Sequence, residues 1–234
     1  MLYGDAGDDT IIGGTGPETI RGGDGNDLIY GGTGPGEIYG GVNSDTIYGG
    51  SGPETIRAMG GDDLIYGGTA SSLLYGDAGN DTVYGGSGPA TIRGGDGNDR
   101  IYGGSGPGEL YGGDGQDTMF GGTGPDTIYA GLGNDVLYGG SGGDTFDGGS
   151  GHNTIYGGSG ADLIAESGAG GHDTVYGFSH AGGDAISFVG QNSTTVQQVV
   201  ATAQENHGNT TITLPDGSTM TLVGVTHIDD TFFH

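Results

Sequence analysis

Large aliphatic residues recur along this chain at a fixed interval of nine. From Ile11 they continue through Ile20, Ile29, Ile38, Ile47, Ile56, Ile65, Leu74, Val83, Ile92, Ile101, Leu110, Met119, Ile128, Leu137, Phe146 and Ile155 to Ile164. Between Gly4 and Ala165 the surrounding residues fall into eighteen uninterrupted nonapeptides of the form Gly-Gly-x-Gly-x-Asp-x-U-x, where U is the aliphatic position. Gly22-Gly23-Asp24-Gly25-Asn26-Asp27-Leu28-Ile29-Tyr30 is a clean copy. A fixed period of this kind dictates a stacked architecture. The pattern predicts a turn over positions 1–6 and a short strand over positions 7–9, with position 8 inward and positions 7 and 9 outward by strand alternation. Two nonapeptides then make one turn of a solenoid.

Successive nonapeptides differ, so the solenoid has two unlike edges. One set carries Asp at position 6: Asp9, Asp27, Asp45, Asp63, Asp81, Asp99, Asp117 and Asp135, followed by Asn153. The other carries Glu18, Gly36, Glu54, Ser72, Ala90 and Gly108, and only then Asp126, Asp144 and Asp162. That second set places Pro17, Pro35, Pro53, Pro89, Pro107 and Pro125 at position 5, six of the seven prolines. Proline fixes φ and stiffens a turn without a ligand. One edge therefore reads as an aspartate edge and the other as a proline edge that regains aspartate toward its end.

Past Ala165 the period slips. Glu166-Ser167 is inserted before a last copy, Gly168–Tyr176, that contains Asp173. Residues 1–176 read as the roll and 177–234 as a terminal segment. In that segment, Val196, Val199, Val200 and Ala203 share a face and Gly208 follows, which predicts a helix from Ser193 to Asn206. Thr210–Leu214 and Ser218–Val223 alternate around Pro215-Asp216-Gly217, which predicts a hairpin. Met1-Leu2-Tyr3 fits positions 7–9 of a preceding repeat, so the first strand reads as uncapped. Such an edge invites pairing with another chain, or marks the removal of upstream repeats.

Composition narrows the function. The 234 residues include 61 Gly, no Cys, and 30 Asp plus Glu against four Arg, for a net charge of −26. That balance argues against nucleic acid and anionic membrane surfaces as partners, because both need basic patches. It favours a cation, since unscreened carboxylates would repel one another and oppose folding. There is no apolar run of membrane-spanning length and no His-Glu-x-x-His, Gly-x-Ser-x-Gly or Walker sequence, and Met1-Leu2-Tyr3-Gly4-Asp5, with neither a basic nor an apolar signal region, is not expected to open a cleavable secretory signal. The expectation is a protein that is not an enzyme.

The tandem Gly-Gly-x-Gly-x-Asp-x-U-x copies resemble the RTX, or hemolysin-type calcium-binding, family. The resemblance implies an all-β, right-handed parallel β-roll of eighteen residues per turn, with a helix and hairpin as cap. It also implies multiple Ca2+ ions, each shared by aspartates one turn apart. The ligands would be Asp9, Asp27, Asp45, Asp63, Asp81, Asp99, Asp117 and Asp135 on one edge, and Asp126, Asp144 and Asp162 on the other, with Asp173 beyond. Glu18 and Glu54 are one methylene longer and are not expected to be ligands. The terminal Asp229-Asp230-Thr231-Phe232-Phe233-His234 looks like the uncleaved signal of bacterial type I secretion, or a capping strand. The resemblance thus implies a secreted, extracellular protein.

One outward feature points to partners. Position 9 of the strands that follow the aspartate loops reads Ile12, Tyr30, Tyr48, Tyr66, Tyr84, Tyr102, Phe120, Tyr138, Tyr156, flanked by Leu28, Leu64 and Val136. On the other strands it alternates Arg21, Tyr39, Arg57, Tyr75, Arg93, Tyr111, with Glu37 and Glu109 nearby. Cross-strand stacking and cation–π pairing would stabilise such sheets. An exposed apolar strip would equally serve lateral association or stacking on sugar rings. Two readings of function follow. One is a calcium-folded structural protein that self-associates, end to end or laterally, in a filament, matrix or surface layer. The other is the calcium-binding and secretion module of a larger enzyme, toxin or adhesin.

Overall fold

The computed structural model of the protein describes residues 1–166, 170–188 and 193–233. Ser167 and Gly168, at the expected slip, the side chain of Ser193, and His234 lie outside the described residues.

The chain winds as a parallel β-roll. Every strand of the repeat region pairs with the strand eighteen residues away, as in Ile20 with Ile38 and Ile29 with Ile47. Alternate strands build two sheets of eleven and thirteen strands. At ~4.8 Å per strand the eleven-stranded sheet extends about 48 Å. Between the sheets lies one file of position-8 side chains, all less than 2 % exposed from Ile20 to Ile164. One inward aliphatic residue per nine is a thin core to set against chain entropy, so the two edges must contribute to stability.

The strands are unequal in a way the repeat alone does not predict. In the first five turns those following the aspartate loops have three residues, as in Leu28–Tyr30 and Thr46–Tyr48, and they lengthen to five or six from Arg100–Gly104 on. Those following the proline loops run seven residues as far as Gly108–Asp114, as in Glu18–Asp24 and Ala90–Asp96. Positions 1–3 of each aspartate nonapeptide thus continue the preceding strand, with Gly23 paired to Gly41 and Asp24 to Val42. The expected six-residue turn is shorter there. Gly23 sits at φ 122°, where a Cβ would collide with the Asp5 carbonyl. The same seat is held at positive φ by Asp5, Met59 and Asp77 in other turns, so the bend belongs to the position and glycine is the residue that adopts it without strain.

The sheets continue past Tyr176. Ala185–Phe188 pairs with Leu163–Glu166, and Thr219–Leu222 pairs with His172–Tyr176. The hairpin of Asn209–Thr213 with Thr219–Leu222 forms as expected. The helix does not: it spans Ser193–Ala201, and Gln204–Asn206 is a strand antiparallel to Asn209–Thr213. His207 at φ 51° and Gly208 at φ 84° form the two-residue turn between them, a mirror-image turn that suits hairpins. Gly208 therefore ends a strand, not a helix. Val196 and Val199 are buried against the cap as their spacing predicts. At the chain's end Phe233 bridges to Ile186 and meets Phe188 edge-on, while Phe232 stacks on His180.

Candidate metal centres along the aspartate edge

On the aspartate edge, consecutive turns are tied by two side-chain ladders running in opposite directions. At position 6 each backbone N–H donates to the carboxylate one turn on. Asp9 donates to Asp27 Oδ1 at 2.9 Å, Asp27 to Asp45 at 2.7 Å, and Asp99 to Asp117 at 2.7 Å. The series includes Asp63, Asp81 and Asp135. At position 5 each N–H donates one turn back instead: Asn26 to Asp8, Asn80 to Asp62, Asn98 to Asn80 and Gln116 to Asn98. The sequence reading missed this second ladder, although its signal was present in Asp8, Asn26, Ser44, Asp62, Asn80 and Asn98 at one repeat position.

The proline edge is closed differently. Proline has no N–H to donate, so the position-5 ladder cannot exist there. Position 6 instead donates to the proline carbonyl one turn on, as Glu18 does to Pro35 at 3.2 Å and Ser72 to Pro89 at 3.1 Å. Main-chain bonds such as Thr33 to Gly14 and Ser51 to Gly32 complete it. The carboxylate ladder returns where aspartate returns, with Gly108, Asp126 and Asp144 donating to Asp126, Asp144 and Asp162.

The carboxylate ladders of both edges outlast the strict period. Asp135 donates to Asn153, and Asn153 to Asp173 twenty residues on. Asp162 donates to Asp184, twenty-two residues on. Asp184 was not expected. It sits in Gly182-Gly183-Asp184-Ala185-Ile186, a remnant of the repeat displaced by four residues. Its second oxygen accepts from the Ser179 N–H at 2.7 Å, so this carboxylate is satisfied by protein alone.

The other aspartates are not satisfied. Apart from Asp9 at the start of the row, each carboxylate uses one oxygen in the ladder, while Oδ2 of Asp9, Asp27, Asp45, Asp63, Asp81, Asp99, Asp117, Asp126, Asp135 and Asp144 is buried without a hydrogen-bond partner. These are ten of the twelve expected ligands; Asp162 and Asp173 are the exceptions. The orphaned oxygens face main-chain carbonyls. A Cβ placed on Gly22 would collide with both Asp27 Oδ2 and the Gly40 carbonyl oxygen, and Gly94 stands in the same relation to Asp99.

Burial raises eight of these carboxyls, those of Asp45, Asp63, Asp81, Asp99, Asp117, Asp126, Asp135 and Asp144, above their ordinary range. It is the largest cause at each, opposed by the hydrogen bond from the preceding turn and in most cases reinforced by neighbouring carboxylates. Asp45, Asp81, Asp117, Asp126 and Asp135 rise to about 6, and Asp63 and Asp99 to about 7. Asp144 and Asp162 are also raised by burial. Where the aspartate edge meets the cap, burial together with the neighbouring Asp173 pushes Glu166 up to about 10. Asp173 is itself raised by burial.

The residues fit calcium. The donors are hard oxygens, from carboxylates and exposed loop carbonyls, as Ca2+ requires. Among the described residues no three acidic or imidazole side chains converge on one point, so carbonyls must supply much of any coordination shell. At Asp9, Asp27, Asp45, Asp81, Asp99, Asp117, Asp126 and Asp144 the orphaned Oδ2 lies beside such a carbonyl. A cation there would meet the unpaired charge that makes the buried row costly.

The outer faces carry the aromatic rows. Tyr30, Tyr48, Tyr66, Tyr84, Tyr102, Phe120, Tyr138, Tyr156 and Tyr176 stack with centroids 4.6–5.0 Å apart and nearly parallel planes. On the opposite sheet Arg21, Arg57 and Arg93 lie 4.0–4.2 Å over Tyr39, Tyr75 and Tyr111. Glu37 and Glu109 do not pair with these arginines. They accept from the Tyr39 and Tyr111 hydroxyls, and Arg57 pairs with Asp77 at 3.5 Å.

A search of curated proteins finds no significant sequence match. Among solved structures, the extracellular lipase LipA from Serratia marcescens aligns with 85 % of this chain at 18 % identity and a TM-score of 0.38. The chain spans 39 % of that lipase's length. The model of the RTX calcium-binding nonapeptide repeat matches residues 3–36, 39–73, 57–89, 75–109, 111–146 and 138–165. With the period, the parallel roll and the carboxylate ladder in place, those matches make the chain a member of the RTX calcium-binding nonapeptide repeat family.

Proposed function

We propose that this chain is an exported structural protein whose roll folds on extracellular calcium and then associates with copies of itself. The ten buried, partnerless carboxylate oxygens carry the first half of that reading. In the unfolded chain no such row exists, so the free energy of binding would become free energy of folding. Extracellular calcium modules bind at ~10⁻⁴–10⁻³ M. A chain with that affinity stays unfolded before export and folds after it. The terminal aromatics fit this order, since Phe232 and Phe233 are docked on the cap in the folded chain and would be free to act as a secretion signal only before folding. Far-ultraviolet circular dichroism tests the reading. Excess chelator should give a disordered spectrum and millimolar calcium a β spectrum; full β-structure in chelator would contradict it.

The aromatic row supports the second half. Its rings face one another, so they present edges and hydroxyls to solvent, with Tyr30 and Tyr156 36–38 % exposed. Sugar stacking needs free ring faces. A regular row of ring edges suits the matching row of a second copy instead, in a filament, matrix or surface layer. Negative-stain microscopy should show assemblies with calcium and none with chelator. Monomers alone at millimolar calcium would rule out the association.

A further inference from the structure

The proline edge contains two glutamates at the ligand position, and the fold treats them differently. Glu18 is half-buried, and its Oε2 accepts from the Gly14 N–H of its own loop at 2.7 Å. That loop is closed on itself. Glu54 is 4 % exposed, and neither of its carboxylate oxygens has a hydrogen-bond partner.

The position of those two oxygens is informative. A Cβ on Gly49, the first residue of the same loop, would collide with Glu54 Oε2 and lie 2.5 Å from the Gly67 carbonyl oxygen. A Cβ on Gly31, one turn earlier, would lie 2.7 Å from Oε1 and collide with the Gly49 carbonyl oxygen. Gly22, Asp27 Oδ2 and the Gly40 carbonyl stand in the same relation on the aspartate edge. Glu54 thus occupies the seat that aspartate takes elsewhere. Its additional methylene is used to reach across two turns, Oε2 over its own loop and Oε1 over the preceding one. The polar atoms crowding these two glycines besides Glu54 are carbonyl oxygens, which accept hydrogen bonds and cannot donate them. Ser72, one turn on, directs its hydroxyl to the Ala70 carbonyl at 3.4 Å.

We infer that Glu54 anchors a separate calcium site on the proline edge, in which the Gly49 and Gly67 carbonyls stand in for the second carboxylate. The inference rests on the reading of the roll as calcium-loaded. A site with one charged ligand is weaker than one with two, so it fills last. Glu54 also lines a groove of about 1050 Å³ that runs along the proline edge past Pro35, Pro53 and Pro89.

The test is long-wavelength anomalous diffraction from crystals grown with calcium, together with equilibrium dialysis. A peak about 2.3–2.6 Å from a Glu54 oxygen is expected in addition to peaks along the aspartate edge. Glu54→Gln should lose that peak, keep the others, and bind one calcium fewer per chain. Glu18→Gln should leave the count unchanged. Peaks along the aspartate edge with none at Glu54, or an unchanged count in Glu54→Gln, would overturn the inference and leave the calcium-folded roll standing. Absence of every peak would overturn both. If Glu54→Gln does not fold, the wild-type map decides alone.

Discussion

The two edges of this roll solve the same problem with different chemistry. Each must hold loops one turn apart while the chain reverses between sheets. The proline edge does so with main-chain bonds, from Glu18 to Pro35 and from Ser72 to Pro89, in loops whose φ is already fixed. The aspartate edge uses side chains, and thereby buries a row of like charges one turn apart. Apart from Glu54, the first edge is closed by main-chain bonds as far as Ala90. The second leaves a carboxylate oxygen unpartnered at every turn from Asp9 to Asp135, so the metal requirement we propose falls mainly on that side.

Four perturbations sharpen this contrast. The largest effect acts on the whole row at once, through pH. In calcium-stripped protein the buried carboxyls have folded-state values of about 6 to 7, above the ordinary 3.8. The folded chain then binds protons more tightly than the unfolded chain, and stability falls as pH rises through that window. Acidification from about pH 8 to about pH 5 should therefore restore β-structure without calcium, as read by circular dichroism. The same protons compete with the ion, so the midpoint of calcium binding to the already folded chain, read by equilibrium dialysis, should move upward as pH falls.

Next in size is Asp99→Ala. It removes the acceptor for the Asp81 N–H and an oxygen row member between Asp81 and Asp117. Loss of one member of a buried charged arrangement costs about 3–5 kcal/mol, and the calcium midpoint of folding should rise. Gly94→Ala tests the same loop sterically, because its methyl would strike Asp99 Oδ2. A cost of about 1–3 kcal/mol is expected in thermal unfolding with calcium present. The smallest effect belongs to the other edge. Pro89→Ala should cost about 0.4–1 kcal/mol by loosening the unfolded chain, with the calcium midpoint unchanged.

Much of this was legible in the sequence, because a constant period converts one residue's environment into that of all its copies. The inward file from Ile11 to Ile164, the twelve aspartates and the six stacked prolines needed only alignment of the nonapeptides. What stayed hidden depended on the backbone between strands. Nothing in Gly22-Gly23-Asp24 announces that it continues the preceding strand, because glycine tolerates both strand and turn. The position-5 ladder was obscured because Asp8, Asn26, Ser44 and Asp62 share a hydrogen-bonding role and not an identity. Asp184 was lost to a four-residue displacement, and the helix end at Ala201 to reading Gly208 as a stop. Glu54 was set aside on side-chain length, when the reach of the extra methylene depends on which turns its two oxygens span.

The central claim is that calcium acts on the aspartate edge and only secondarily on the proline edge. Amide hydrogen exchange by NMR at subsaturating calcium tests it most directly. Loss of protection should be greatest at the amides of Asp27, Asp45, Asp63, Asp81 and Asp99, which donate to the carboxylate row. It should be smallest at those of Glu18, Gly36, Ser72 and Ala90, which donate to proline carbonyls. Equal loss on both edges, or earlier loss on the proline edge, would contradict the account.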